Sequence, residues 1–67
     1  MPPSKRLAMK LKRIRKERGI TQAVLARRAK ISRVYLAELE AHRKDPRLSI
    51  VVKLATALGV TVGELVD

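Results

Sequence analysis

A length of 67 residues suits one small domain, and a chain with no cysteine and one histidine offers neither a disulfide framework nor a recognisable metal site. Sixteen Lys and Arg against six Asp and Glu give a formal net charge of +10 at pH 7. No segment approaches the ~20 consecutive apolar residues of a membrane-spanning helix, and no apolar run follows the basic N-terminus as it would in a signal peptide.

The positive charge is concentrated in the first two-thirds of the chain. Residues 1–47 hold fifteen of the sixteen basic residues and four of the six acidic ones, whereas residues 48–67 are nearly neutral. This distribution favours a polyanionic partner over simple solubility. Surfaces that bind single strands or RNA stack bases on several aromatic side chains, and Tyr35 is the sole aromatic residue. We therefore expect a cytoplasmic, nucleoid-associated protein that binds double-stranded DNA and no membrane.

The first helix is predicted over residues 5–18. Residues 1–4 are expected to be a disordered lead, with Ser4 as the N-cap. Three apolar residues then follow at the i, i+4, i+7 spacing of one helical face: Leu7, Leu11 and Ile14. Gly19 suits the left-handed position that follows a helix end, so the helix is expected to stop before it.

Residues 21–40 contain no glycine or proline and are compatible with one helix or two. In a single helix the apolar residues would occupy more than half of the circumference, too wide a stripe for one buried face. A break near Lys30 reduces this conflict. Thr21 and Ser32 then become the N-caps of two short helices, and Val34 points to solvent. Periodicity does not force this division, but it favours it.

Two further helices are predicted near the C-terminus. Pro46 ends a basic loop and suits the first turn of a helix over residues 47–58. This helix has the strongest amphipathic pattern of the chain, formed by Leu48, Val51, Leu54, Ala55 and Leu58. Thr61 and Glu64 have the spacing of a capping box, which predicts a short helix over residues 62–66. No strand pattern occurs, so the class is all-α.

Two short helices joined by a tight turn and flanked by a helix on each side form a helix-turn-helix. Four segments carry a resemblance to a known family: "RGITQAVLA", "ISRVYLAELE", "PRL" and "LATALGVTVGEL". Together they resemble the lambda-repressor-like, Cro/XRE-type DNA-binding domains, over about residues 7–66. The resemblance implies a compact five-helix bundle whose recognition helix is residues 33–40, and a sequence-specific transcription regulator. Family members often have glycine where this chain has Lys30 and His42, so we expect left-handed backbone at Lys30.

A recognition helix offers its N-terminal, outward-facing residues to the major groove. The residues that match the base-reading positions of the family are Ser32, Arg33, Val34, Ala37 and Glu38. The guanidinium of Arg33 can take O6 and N7 of a guanine together, and Val34 or Ala37 can touch a thymine methyl. Glu38 can accept from a cytosine amino group or exclude phosphates, or it is an ordinary surface glutamate.

Other DNA contacts are expected around this helix. Gln22 is included with the base-reading set, although in the family a glutamine here contacts a phosphate and braces the recognition helix; the alternative is a neutral surface residue. The expected phosphate contacts are Lys30, Tyr35, Arg43, Lys44 and Arg47. Arg47 also matches an arginine that approaches the minor groove in some phage repressors, and Tyr35 is alternatively pure core. In part of the family, an arginine at the position of Arg15 pairs with a glutamate at the position of Glu40.

A homodimer is expected because helices 4 and 5 carry more apolar residues than they need internally: Ile50, Val52, Val62 and Val66. The nearly neutral C-terminal third lets two copies meet without charge repulsion. Two recognition helices would then read a near-palindromic operator and repress by occlusion. The alternatives are an antitoxin or restriction-modification control protein of the same fold, or a coactivator-like protein-interaction module. No enzyme is expected, since paired catalytic groups and a glycine-rich phosphate loop are absent, and no cofactor or small-molecule ligand is expected.

Overall fold

The computed structural model describes residues 3–66, which form helices joined by short connections. The helices are α1 (Pro3–Glu17), α2 (Gln22–Ala29), α3 (Arg33–Glu40), α4 (Leu48–Leu58) and α5 (Val62–Val66). No strand occurs between residues 3 and 66. The predicted all-α class and the five-helix bundle are therefore confirmed.

α1 begins at Pro3, two residues before the predicted start. Ser4 therefore lies inside the first turn, and the prediction that it is the N-cap is wrong. Proline suits this place because the first turn of a helix needs no backbone N–H donor and the ring already fixes φ near the helical value. The predicted disordered lead over residues 1–4 is helical at residues 3 and 4. Residues 1 and 2 of that lead lie outside the described range.

Each of the first four helices is followed by a residue or a short turn with left-handed backbone. The positive-φ residues of the described range are Gly19 (φ 67°), Lys30 (φ 58°), His42 (φ 57°) and Gly59 (φ 72°). At the end of α2 the N–H of Ile31 donates to the carbonyl of Ala26 at 3.0 Å, which closes the helix. Residues 21–40 therefore form two helices broken at Lys30, as predicted. Lys30 and His42 keep the geometry of the family's glycines, at a cost of roughly 1 kcal/mol each.

Three hydroxyl side chains cap the helices that follow them. Thr21 Oγ1 accepts from the N–H of Val24 at 3.1 Å, and Ser32 Oγ accepts from the N–H of Tyr35 at 2.9 Å. Thr61 Oγ1 accepts from the N–H of Glu64 at 3.1 Å. All three caps were predicted. Each satisfies a backbone donor that its helix leaves unpaired and so fixes where the helix starts.

α4 starts at Leu48, one residue later than predicted, and Arg47 is its N-cap. Pro46 therefore precedes the cap instead of lying in the first turn. Leu48 was predicted to lie on the buried face of α4, but its side chain is 69% exposed. It lies in the first turn of α4. At ~100° per residue, the direction of its side chain differs by about 70° from the centre of the face formed by the buried residues of α4. The apolar pattern of α4 thus extends beyond the core.

The core contains one fully buried leucine from each helix: Leu11, Leu25, Leu36, Leu54 and Leu65. α1 packs against α5 and α3, and α2 packs against α4 and α3. α3 is therefore held on one side by two helices, and its opposite side faces solvent. Ile31, in the turn between α2 and α3, is half-buried and packs against the core.

Between residues 3 and 66 no helix is both long and apolar enough to cross a membrane. The same residues contain no group of three or more His, Cys, Asp or Glu side chains placed to hold a metal ion.

Candidate nucleic-acid interface

The outward face of α3 collects the residues predicted to read DNA bases. Leu36 and Leu39 anchor the helix in the core, with 0% and 2% of their surface exposed. The opposite face carries Val34, Ala37 and Glu38, Arg33 lies at its edge, and Ser32 precedes the helix as its N-cap. Ser32, Arg33 and Val34 are exposed, and Ala37 and Glu38 are half-buried. Val34 is 63% exposed, an unusual position for a valine. Three of the five predicted residues thus lie on the side of α3 away from the core, and the other two lie at the start of the helix.

A buried ion pair holds the C-terminal end of α3. Arg15 Nε donates to Glu40 Oε2 at 2.7 Å, and Arg15 Nη2 donates to Glu40 Oε1 at 3.1 Å. The two side chains are only 10% and 3% exposed. The third nitrogen of the guanidinium, Nη1, donates to the carbonyl of Ile20 at 2.9 Å. The pair expected from the family resemblance is therefore present, in the two-pronged geometry that arginine and carboxylate prefer.

Gln22 joins this pair to the start of α2. Its Nε2 donates to Glu40 Oε1 at 3.1 Å, so the carboxylate of Glu40 receives three hydrogen bonds in all. Within the described residues no buried side-chain nitrogen or oxygen lacks a hydrogen-bond partner. We call Arg15, Gln22 and Glu40, with the Ile20 carbonyl, the brace. Because the brace joins α1, α2 and α3 in a dry region, α3 cannot rotate without breaking charged hydrogen bonds.

Gln22 was expected to contact DNA, and the structure gives its amide nitrogen another partner. The residue is half-buried and begins α2, close to backbone N–H groups that favour an anion. The bracing role was anticipated from the resemblance, and the DNA contact of Gln22 stays a prediction. The Ile20 carbonyl was not anticipated, because a backbone acceptor in a loop leaves no signal in the side-chain pattern.

Basic side chains lie beyond both ends of α3. Lys30 precedes the helix, and Arg43, Lys44 and Arg47 follow it; all four are exposed. These four predicted phosphate contacts are therefore exposed before and after α3, and their contact with DNA stays a prediction. The fifth predicted contact, Tyr35, is half-buried and packs against the core.

Lys44 folds back over α3. Its Nζ lies 3.8 Å from Glu38 Oε1 and 5.9 Å from the centroid of the Tyr35 ring. This cluster ties a predicted phosphate contact to a predicted base contact. No sequence pattern predicts this contact, because Glu38 and Lys44 are six residues apart across a helix end, where helical spacing no longer applies.

The four residues predicted to form a dimer interface do not share one surface. Ile50, Val62 and Val66 are half-buried and pack against the core, whereas Val52 is 45% exposed. Val52 faces the C-terminal end of α2, close to Lys30. Two positions along a helix turn the side chain by ~200°, so Ile50 and Val52 point to nearly opposite sides of α4. Val52 therefore lies on a different side of α4 from Ile50, and the dimer interface stays a prediction.

Two short helices meet at a tight turn, a buried brace fixes the second one, and its outer face is exposed between basic residues. This arrangement defines a helix-turn-helix domain with the lambda-repressor-like fold. The sequence model of the helix-turn-helix family matches residues 11–65. The chain belongs to this family, which confirms the resemblance seen in the sequence.

Curated relatives are named as regulators of transcription. The immunity repressor protein of Bacillus phage phi105 is 45% identical over 60 residues, which are 90% of this chain and 42% of the repressor. The uncharacterized HTH-type transcriptional regulator y4dJ of Sinorhizobium fredii is 43% identical over 54 residues, which are 81% of this chain and 70% of that protein. The HTH-type transcriptional regulator DdrOP3 of Deinococcus deserti is 37% identical over 62 residues, 92% and 48% of the two chains. The chain spans less than half of the first and third of these proteins.

Solved structures share the fold over almost the whole chain. The restriction-modification controller protein C.AhdI from Aeromonas hydrophila has a TM-score of 0.89 and 29% identity, and the match covers 92% of this chain and 94% of C.AhdI. The hypothetical transcription factor NHTF from Neisseria has a TM-score of 0.93 and 32% identity, covering 98% and 76%. The clp gene regulator ClgR from C. glutamicum has a TM-score of 0.90 and 29% identity, covering 97% and 84%.

Proposed function

We propose that this chain is a transcription regulator that reads double-stranded DNA with α3 and represses by occupying an operator. The observation that carries this proposal is the exposed outer face of α3, held in place by the buried brace. A helix fixed in this way can enter a major groove without first being reorganised. The similarity to the phage immunity repressor and to the other regulators supports the same function.

Arg33 is the main base-reading residue of the proposal. It is the first residue of α3, is exposed, and follows the Ser32 cap that fixes the start of the helix. Its guanidinium can donate two parallel hydrogen bonds to one guanine, a contact that discriminates by about 1–3 kcal/mol. Val34 and Ala37 offer methyl groups to a thymine. Glu38 accepts from a cytosine or keeps a phosphate away.

The phosphate backbone is held on both sides of α3. Phosphates of one DNA strand are contacted by Lys30 and by the N-terminal end of α2 at Gln22. Phosphates of the other strand are contacted by the loop that carries Arg43, Lys44 and Arg47. Tyr35 adds its hydroxyl to this second group. Contacts of this kind supply affinity but little sequence preference, so affinity should fall steeply as salt is raised.

The regulator acts as a homodimer on two half-sites about 34 Å apart. Ile50, Val62 and Val66 remain as the interface, since they are only half-buried in the single chain and lie in its nearly neutral third. A monomer at micromolar concentration, measured by light scattering, would contradict this part of the proposal while leaving DNA binding intact.

Selection of bound sites from random duplex DNA tests the proposed function. The protein should enrich one motif, and Arg33→Ala should lose the preference at one base position while keeping most of the general affinity. If no motif is enriched, the chain is instead a protein-interaction module of the same fold.

A second candidate is the control of a restriction-modification operon, because the match covers 94% of C.AhdI. It uses the same DNA-binding face, so the motif selected in vitro decides between the two. A motif that lies upstream of endonuclease or methyltransferase genes favours the controller, and one upstream of other genes favours the more general repressor.

A further inference from the structure

An open groove of about 590 Å³ runs between α2 and α4, away from the brace. Its floor is apolar and its rim is basic. The floor is formed by Ala29, Val52 and Ala57, and the rim by Arg28, Lys30 and Lys53. We call these six residues the α2/α4 groove. The residues proposed to read bases do not line it.

The floor of the α2/α4 groove exposes apolar surface that the fold does not need. Val52 is 45% exposed, although valine side chains are usually buried. Leu48 lies one turn earlier on the same side of α4 and is 69% exposed. The two side chains form an apolar strip that continues from the groove along α4. A contiguous strip of this kind in a strongly charged protein marks a contact surface.

The rim of the groove carries three positive charges without counter-charges. Arg28, Lys30 and Lys53 are exposed, and none of them forms an ion pair with another residue in the range 3–66. No acidic side chain lines the groove. The rim therefore attracts an anionic partner, and it favours one that also covers the apolar floor.

Two occupants fit this chemistry poorly. A second copy whose groove faced this one across a two-fold axis would bring cations against cations. A DNA backbone would supply phosphates to the rim, but it has little apolar surface with which to cover Val52 and Leu48. An acidic amphipathic helix supplies both, since its apolar face fits between two helices while its carboxylates reach the rim.

We propose that the α2/α4 groove binds an acidic amphipathic segment of another protein, with leucine-like residues against Val52 and Asp or Glu against Arg28, Lys30 and Lys53. This binding uses a face other than the base-reading face of α3, and Lys30 is the one residue that it shares with the proposed phosphate contacts. It gives the domain a surface through which a second protein can be brought to DNA, or kept from it.

A synthetic peptide provides the test. The probe is a fluorescein-labelled 15-residue peptide of Glu, Leu and Ala, with the leucines at i, i+3, i+4 and i+7. A second peptide has the same composition in a scrambled order that removes the apolar face. Fluorescence anisotropy with the full chain at ~0.15 M salt, where exposed charges are partly screened, should show at least about tenfold tighter binding of the first peptide.

Two pairs of variants locate the binding. Val52→Asp should weaken binding of the amphipathic peptide about tenfold. Met9→Asp, at a 60% exposed apolar residue of α1, should have little effect on this binding. Lys53→Glu should likewise weaken it more than Lys12→Glu, which changes the same charge on α1. All four residues are exposed, so the folded state should survive, and thermal melting followed by circular dichroism checks this.

Any of the following results would overturn the proposal. Equal binding of the two peptides, or equal effects of Val52→Asp and Met9→Asp, would mean that the net positive charge alone attracts the peptide. A dimer that Val52→Asp dissociates would assign the groove to a second copy. A loss of duplex DNA affinity with the uncharged change Val52→Ser that exceeds the loss with Met9→Ser would assign it to nucleic acid. Changes in backbone amide chemical shifts on addition of the amphipathic peptide should centre on residues 28–30 and 52–57. Changes centred on α3 instead would contradict the proposal.

Discussion

Arg15 and Glu40 lie 25 residues apart in sequence and form a two-pronged ion pair, Nε to Oε2 at 2.7 Å and Nη2 to Oε1 at 3.1 Å. The pair joins α1 to the last residue of α3, and Gln22 connects it to the first residue of α2. The position of the recognition helix therefore depends on charged groups and not only on leucine packing. Burying such a pair costs free energy, because both charges lose their water. Removing one partner costs far more, because the other charge then remains buried without a counter-charge.

Arg15→Ala should lower the free energy of unfolding by about 3–5 kcal/mol, because the buried carboxylate of Glu40 loses its charged partner. Urea denaturation followed by circular dichroism measures this. The double variant Arg15→Met with Glu40→Leu should be more stable than Arg15→Ala alone, since no buried charge remains unpaired. If Arg15→Ala costs under 1 kcal/mol, the pair is not buried in solution as it is here.

Gln22→Glu should weaken both stability and DNA binding, because a second carboxylate would then stand where the amide donates to Glu40 Oε1 at 3.1 Å. Gln22→Ala should lower the free energy of unfolding by no more than about 1.5–3 kcal/mol, which is the typical contribution of a hydrogen bond to a charged group. Comparison of the two variants separates the brace from a DNA contact. Should Gln22→Ala lose DNA affinity without losing stability, the side chain serves DNA alone.

The sequence predicted the backbone of this domain better than its surface. The break at Lys30 followed from an apolar stripe too wide for one helix, and the Ser32 cap followed from residue type, since both effects act within a few residues. Leu48 was misplaced because helical periodicity does not tell where a neighbouring helix ends. The grouping of Val52 with Ile50 did not consider the direction in which each side chain leaves α4, and the interface itself stays a prediction.

Side-chain partners across the fold could be predicted only through the family resemblance. The pairing of Arg15 with Glu40 has no local signature, since the two residues meet through the packing of α1 on α3. The approach of Lys44 to Glu38 depends on the path of the loop after α3, which the left-handed His42 redirects. Neither contact follows from propensity or spacing.

Lys30→Gly should raise the free energy of unfolding by about 0.5–1 kcal/mol, because lysine at φ 58° carries a backbone penalty that glycine lacks. The opposite change provides the control. Gly59→Ala, at φ 72° with no atom closer than 3.8 Å to the added methyl, should lower stability by about 1 kcal/mol through backbone strain alone. Both are measured by urea denaturation. A loss of stability in Lys30→Gly would show that this turn is not left-handed in solution.

Glu38→Gln should raise the affinity for non-specific duplex DNA several-fold. The change removes a negative charge from the outward face of α3 and releases Lys44, which Glu38 Oε1 holds at 3.8 Å, to meet a phosphate. Glu17→Gln on α1 is a matched control, because Glu17 also pairs with a basic side chain at 3.8 Å on an exposed surface. Exposed pairs of this kind are worth under about 1 kcal/mol, so neither change should alter stability much. Equal gains in DNA affinity for the two variants would show that only net charge matters.

Base contacts and phosphate contacts should respond differently to salt. Each phosphate contact that is lost should reduce the slope of log K against log[salt] by about one and weaken all sequences alike. This is expected for Arg43→Ala, Lys44→Ala and Arg47→Ala. Arg33→Ala should instead lower the affinity for the selected motif by about 1–3 kcal/mol while affecting unrelated duplexes much less.

Titrations of the motif and of an unrelated duplex at several salt concentrations measure both quantities for each variant. Lys12→Ala, on the exposed side of α1, is the control for loss of one charge far from α3. The assignment requires Arg33→Ala to change mainly the ratio of the two affinities and the loop variants to change mainly the slope. If Arg33→Ala behaved like Arg43→Ala in both measurements, Arg33 would be a phosphate contact. The base contacts would then be made by Val34, Ala37 and Glu38.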